Sequence, residues 1–570
     1  MARKPAAKNK TAAKKEKSFE QTLWATADKL RGSVESSEYK HVVLSLIFLK
    51  FISDKFTERK AELIADGQAD YVDMVDFYTM KNTFYLPEFS RWDHIAKHAK
   101  QDDIAVKIDT ALHIVEQNNQ SLRGALPDNY FSRLNLDVSK LSALIDGINN
   151  IDTLVKAESG SSEEGRAANE EGRATSEEGR ATSEEDIVGR VYEYFLGNFA
   201  ATEGKGGGEF YTPKSVVNLL AEMIEPYHGK IYDPCCGSGG MFVQSIKFVE
   251  NHQGNKKDIS IYGQEQTATT YKLAKMNLAI RGISANLGDV PADTFFKDQH
   301  PDLKADFIIA NPPFNLKDWR GHDELSDDPR WAGYETPPTG NANYGWILHM
   351  ISKLSDNGVA GFVLANGSMS TNTKGEGQIR QQIIDNDLVD CMIALPGQLF
   401  YTTQIPVCLW FLTKNKREQT FSDDRKHHRN REGETLFIDA RNMGSMISRV
   451  HKELTADDIA QIADTYHAWR GEPVSPLPLE GEGLSEGLHG ENGYEDVAGF
   501  CKSATLDDIK ANDYVLTPGR YVGAAVVEED NELFEEKMQQ LTQTLYQQMA
   551  EAQELDAVIK QNLKGLGYVG

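Results

Sequence analysis

Lys230-Ile231-Tyr232-Asp233-Pro234-Cys235-Cys236-Gly237-Ser238-Gly239-Gly240 is the stretch whose reading decides the fold. A short apolar run ends in an acid, glycines follow, and helical apolar spacing resumes from Met241. Strand, glycine turn and helix in that order predict the first unit of a doubly wound, mostly parallel α/β sheet. The glycines let backbone approach a ligand, and Asp233 is suited to a positive or hydroxyl-bearing group. No Lys-Ser/Thr follows the glycines, so this is not a phosphate loop, and the full dinucleotide fingerprint is absent.

Working outward, residues 259–262 read as a second strand that ends at Gly263-Gln264-Glu265, and a helix is expected over 267–281. An acid at the end of strand two is where ribose hydroxyls are read in such sheets. Gly288-Asp289 adds a third carboxylate at the same edge. Upstream, Gly206-Gly207-Gly208-Glu209-Phe210-Tyr211-Thr212-Pro213 leads into a helix that Pro213 begins, with Val216, Val217, Leu219, Leu220, Met223 and Ile224 as its apolar face. Downstream come helical segments at 345–354 and 379–384 and strands at 359–364, 388–395 and 406–412. The last two lack an intervening helix and suggest a closing hairpin.

Between these lies the run 305–310, a buried-strand pattern that ends in Asn311-Pro312-Pro313-Phe314. Two prolines stop the strand and fix the direction of the backbone. The amide of Asn311 and the ring of Phe314 are left at the carboxyl edge, where open α/β sheets bind ligands. The exocyclic amine of a base is a poor nucleophile, because its lone pair is delocalised into the ring. Two acceptors, the Asn311 side-chain oxygen and the Pro312 carbonyl, would favour a tetrahedral nitrogen with its lone pair aimed at an electrophile. Phe314 offers a face for a base, worth ~1–3 kcal/mol where bases stack on aromatics. On these residues alone, adenine N6, cytosine N4, RNA guanine and protein glutamine all remain open as acceptors, as does a scaffold that has lost turnover.

At 570 residues the chain is long enough for several domains, and 40% apolar with 9% aromatic residues suits a soluble protein. No apolar run approaches the ~20 residues of a membrane span. No signal-peptide core follows the basic start, so a cytoplasmic location is expected. Cys235, Cys236, Cys391, Cys408 and Cys501 form no paired framework and no zinc spacing. A net charge of −25 argues against a chain that grips DNA unaided, since phosphates are held by Lys and Arg.

Residues 1–17 carry seven basic side chains and one acid and read as a disordered arm. A helical domain is expected over 18–156, with strong periodicity around 104–115 and 141–151. Within 157–186 the units SEEGRAA, NEEGRAT, SEEGRAT and SEED repeat without a large apolar side chain, a polar linker rather than a coiled coil. An amphipathic helix at 187–200 opens a catalytic domain that is expected to run to 470, with a linker at 471–497 and a C-terminal region at 498–570. The charged segment 416–431, with His427-His428, reads as a solvated loop, and the cysteines beside the glycine turn as small apolar filler rather than nucleophiles. Phe534, Met538, Leu541, Leu545, Met549, Ala552, Leu555, Ile559, Leu563 and Leu566 make an apolar seam on what is expected to be a long C-terminal coiled-coil helix that cannot bury itself.

Phe-Tyr-Thr-Pro, then Asp-Pro-x-x-Gly-Ser-Gly-Gly, Glu265, Asp289 and Asn-Pro-Pro-Phe, in this order, resemble the amino-group DNA methyltransferases that act on adenine N6. More closely, the chain resembles the modification (M) subunit of type I restriction–modification systems. The resemblance implies S-adenosylmethionine as cofactor and no metal. Phe210, Tyr211 and Thr212 would lie at its methionine end, Asp233, Gly237, Ser238 and Gly239 around it, Glu265 at its ribose and Asp289 at its adenine. Asn311, Pro312 and Phe314 would hold an adenine flipped out of the duplex. It also implies assembly on double-stranded DNA with a second M chain and a specificity (S) subunit held by the C-terminal helix, and leaves room for a restriction (R) subunit.

Overall fold

A computed structural model of the chain describes residues 36–149, 212–472 and 493–524, except 82, 135, 253, 401–404, 421–426 and 449–450, together with isolated positions at 24, 28, 194–195, 538, 542–543 and 546. The basic arm, the repeat, most of 187–200, Phe210, Tyr211 and all of 473–492 lie outside the described residues. The chain divides into two units, Met1–Val522 and Gly523–Gly570. In the second, the expected apolar seam also falls outside the described residues except at Met538.

The front of the first unit is helical, as its periodicity predicts. Helices α1 (Ser36–Ala65), α2 (Ile104–Asn118) and α3 (Val138–Asn149) contribute Leu46, Leu49, Ile108, Leu112, Leu141 and Leu144 to one core. Asp109, buried on α2, accepts hydrogen bonds from the backbone amides of Tyr130, Phe131 and Ser132, which satisfies the free donors that open the short helix Tyr130–Arg133.

The remainder is organised on one nine-stranded sheet. After helix α4 (Lys214–Ile224) come β1 (Gly229–Asp233), α5 (Gly240–Asn251), β2 (Ile259–Gly263), α6 (Ala268–Ile280), the short β3 (Ala285–Asn286) and β4 (Ala305–Ala310). Helix α7 (Asn343–Lys353), β5 (Leu354–Ala365), α8 (Glu376–Asp385), β6 (Val389–Ala394) and β7 (Val407–Thr413) follow. Strands β1, β2, β3, β4 and β5 pair in parallel, while β7 runs antiparallel between β5 and β6 as the closing hairpin. Strand order reverses at β1, which pairs with β2 on one side and β4 on the other.

Beyond β7 the structure departs from expectation. Strand β8 (Glu434–Asp439) pairs in parallel with β6, helix α9 (Ala456–Arg470) follows, and β9 (Cys501–Thr505) closes the edge antiparallel to β8. Residues 501–505 therefore belong to the nine-stranded sheet, and the expected boundary at 498 falls inside the unit that carries it. The charged segment 416–431 is not a solvated loop at its ends. Lys416 is buried with its ammonium on Asp387 Oδ1 at 2.7 Å and on the Val389 and Glu434 carbonyls. Arg431 is buried against Asp390, which also accepts from Tyr466 Oη at 2.6 Å. His428 meets Glu472 at 2.8 Å, and burial lowers its pKa to about 4. Charge along this segment serves packing, because each buried cation meets a carboxylate or carbonyl.

Candidate active site

In doubly wound sheets the loops that leave adjacent strands part where strand order reverses, and the crevice between them takes the ligand. Here the crevice lies at the carboxyl ends of β1 and β4. A cleft of about 640 Å3, open to solvent, has Thr212, Asp233, Gly237, Ser238, Asn277 and Asn311 among its lining residues.

The glycine turn forms one wall. Gly237 (φ +54°) and Gly239 (φ +79°) hold left-handed conformations that side chains other than glycine rarely adopt. A Cβ on Gly237 would meet no atom within 4 Å, so this part of the turn faces open space. Gly239 caps α5, and its amide donates to the Cys236 carbonyl at 2.8 Å. Two carboxylates brace the turn. Asp233 Oδ1 accepts from the Cys235 amide at 2.9 Å, and Glu265 accepts from the amides of Gly237 at 3.1 Å and Thr267 at 2.7 Å. Asp233 is 2% exposed, and burial, with the Glu265 charge adding to it, pushes its pKa up to about 7. Burial likewise drives the thiols of Cys235 and Cys236 well above the ordinary range, which agrees with filler and opposes a nucleophile.

Asn311 forms the other wall. Its Nδ2 donates to Thr212 Oγ1 at 2.8 Å, which fixes the amide plane. Its Oδ1 is buried and has no hydrogen-bond partner. An unmet acceptor in this position carries a desolvation cost of about 1–3 kcal/mol that a donor on a ligand would recover. Phe314 is not an open platform. Its ring is 9% exposed and stands edge-on to Phe400, with centroids 6.3 Å apart.

Thr212, Asp233, Gly237, Ser238 and Asn311 thus meet on the cleft, while Glu265 braces it from behind. Asp289 is exposed on the same sheet edge and outside the lining, its amide held by Gln299 Oε1 at 2.9 Å. Two residues escaped the sequence reading. Asn277 of α6 lines the cleft and donates to the Ser238 carbonyl at 2.7 Å. Gln264 is fully buried and ties the carbonyls of Ala292 and Lys297 and the Gln299 amide to the end of β2. Each is a single polar residue in an otherwise ordinary stretch, and only the buried environment reveals its use. The residues present fit a cofactor that carries amine and hydroxyl groups, with two carboxylates and a glycine turn that has open space before it, and Lys214 is the one basic side chain among the described lining residues.

Comparison with known proteins places this geometry in a family. Residues 183–530 match the family described as N-6 DNA Methylase, and residues 19–148 match the HsdM N-terminal domain. The HindI methylase subunit of the type I restriction enzyme of Haemophilus influenzae is 55% identical over 67% of this chain and 79% of its own length. The MjaIX methylase subunit of Methanocaldococcus jannaschii is 36% identical over 96% of this chain and 92% of its own. In fold, the type I methyltransferase subunit of Streptococcus thermophilus superposes with a TM-score of 0.65 at 22% identity, covering 88% of this chain and 99% of that one. The chain belongs to the N-6 DNA methylase family, as the catalytic modification subunit of a type I restriction–modification enzyme.

Proposed function

We propose that this subunit transfers a methyl group from S-adenosylmethionine to N6 of an adenine flipped out of double-stranded DNA, at a site chosen by a separate S subunit. The observation that carries the reading is the Asn311 amide, whose nitrogen is held by Thr212 while its buried oxygen lacks a donor. An N6 amino group supplies that donor, and the Pro312 carbonyl is the second acceptor for it. Phe314 takes one face of the base once its edge contact with Phe400 opens.

When bound, S-adenosylmethionine supplies an activated methyl group on its sulfonium. The chain's own residues hold and align. Asp233, near neutral pKa, accepts a hydroxyl or meets a positive group at the glycine turn of Gly237, Ser238 and Gly239. Glu265 would hold the ribose and Asp289 the adenine ring, and Phe210, Tyr211 and Thr212 would lie at the methionine end. Placing donor and acceptor in line accounts for much of the rate, as effective concentration does in oriented reactions. The C-terminal seam from Phe534 to Leu566 docks on the S subunit, and a second M chain completes the methyltransferase, an assembly that leaves room for an R subunit. The protein is expected in the cytoplasm, and no helix among the described residues is long and apolar enough to cross a membrane.

Asn311→Ala tests the assignment. With the S subunit present, DNA methylation should fall by at least about a hundredfold, the scale of losing a transition-state hydrogen bond, while cofactor affinity measured by calorimetry stays near wild type. Loss of both in equal measure would place Asn311 in cofactor binding instead.

A further inference from the structure

Helix α6 is shared between two cores. Leu273, Met276 and Ile280 are buried in the core of the helical domain, whereas Tyr271, Ala274 and Leu278 are buried against β1, β2 and α5. Steps of three and four residues generate both faces of one helix. The helical domain also grips α6 through polar contacts, since Lys272 Nζ donates to the Leu126 carbonyl at 2.9 Å and Lys275 Nζ to the Arg123 carbonyl at 3.0 Å.

Asn277 sits on this helix at the cleft. It is 2% exposed, and its Nδ2 donates to the Ser238 carbonyl at 2.7 Å, in the middle of the glycine turn. The next residue, Leu278, lies where a Cβ on Gly239 would meet its Cγ at 3.5 Å, so the helix also backs the turn sterically. Arg281, buried one turn on, holds both the Asn277 carbonyl and its Oδ1, which leaves the Asn277 amino group committed to Ser238. The chain of contact therefore runs from Leu126 and Arg123, through α6, to the Ser238 carbonyl.

We propose that Asn277 is a positioning residue for the cofactor turn, and that through it the seating of the helical domain on α6 sets cofactor affinity. The inference rests on the reading that the turn binds S-adenosylmethionine. With the Ser238 carbonyl held, the left-handed geometry at Gly237 and Gly239 is kept in its binding form before any ligand arrives. Without that hold, part of the binding energy goes into ordering the turn.

The test uses the full chain and three variants. Asn277→Ala removes the hydrogen bond. Asn277→Asp keeps an oxygen for Arg281 but removes the donor to Ser238, and so guards against a simple folding defect. Lys272→Met cuts a helical-domain contact and leaves the cleft untouched. Titration with S-adenosylmethionine should show affinity lower by roughly tenfold for both Asn277 variants, the scale of one hydrogen bond, and by a smaller factor for Lys272→Met. Amide exchange in the cofactor-free chain should speed up at residues 237–240 in all three, and kcat on DNA of each variant assembled with the S subunit, at saturating cofactor, should stay within about twofold for a lesion confined to uniform binding. Wild-type affinity and exchange in Asn277→Asp would overturn the positioning role. A normal Lys272→Met beside a weakened Asn277→Asp would overturn the coupling. Failure of the wild-type chain to bind S-adenosylmethionine, with exchange at the turn still faster in the variants, would instead reject the cofactor reading.

Discussion

At the scale of single residues, the site is a set of polar atoms held in place before any ligand arrives. Asn311 is fixed by Thr212 across ninety-nine positions of sequence, a pairing that the motif Asn-Pro-Pro-Phe does not disclose. The motif made the residue legible, and the three-dimensional partner explains why its oxygen is free. Phe314 is the opposite case: its type suggested stacking, while its packing against Phe400 depends on a loop that no local pattern predicts. Asp233 carries a pH prediction. Its pKa stands near 7 in the fold against an ordinary 3.8, because burial disfavours its charge. A raised carboxyl contributes stability that is full below pH 4 and lost as pH rises through about 7, since the unfolded chain ionises first. The melting temperature of Asp233→Asn relative to wild type, both without cofactor, should therefore climb between pH 4 and 7.5. A difference that is flat across that range would contradict the buried, half-protonated Asp233.

At the scale of elements, helices and central strands announced themselves because they are apolar and long. β1, β4, β5, β6 and β7 are nearly or fully buried along their inner lengths, and their runs stand out against the loops. β8 and β9 did not stand out. Glu434-Thr435-Leu436-Phe437-Ile438-Asp439 is flanked by acids within a charged region, and Cys501-Lys502-Ser503-Ala504-Thr505 is an edge strand with only two buried residues. Edge strands gain their stability from pairing and one packed face, and their sequences carry little signal. The segment 416–431 misled for a related reason, since charge in sequence does not say whether a partner waits in the fold. Arg431 is 2% exposed beside the fully buried Asp390. Arg431→Met would leave that carboxylate with Tyr466 but without its nearest cation, and should cost about 3–5 kcal/mol, the range for breaking a buried ion pair. Chemical denaturation would measure it, and a loss under about 1 kcal/mol, the level of an exposed pair, would show that the network is not needed for the fold.

At the scale of the whole molecule, an acidic catalytic subunit suits the proposed assembly, in which other chains share the grip on DNA. The net charge of −25 is unfavourable for a solitary DNA binder and unremarkable for a subunit that borrows recognition. The division at Val522 gives this a test by truncation. A chain that ends at Val522 keeps β9 and the stack of Tyr521 on Phe437 at 3.8 Å, and should bind cofactor while failing to hold the S subunit. A chain that ends at 498 loses both features and should melt at lower temperature or fail to fold. Retention of the S subunit by the Val522 chain in size-exclusion chromatography would refute the role given to the C-terminal seam. The central claim, methyl transfer to adenine N6 at a site selected by a partner, is tested most directly by mapping modified bases. The chain would be co-purified with its S subunit and incubated with genomic DNA and labelled S-adenosylmethionine, alongside Asn311→Ala. The account predicts N6-methyladenine at one defined sequence with the wild-type complex and none with the variant. Label on cytosine, on RNA or on protein, or unchanged labelling by Asn311→Ala, would contradict it.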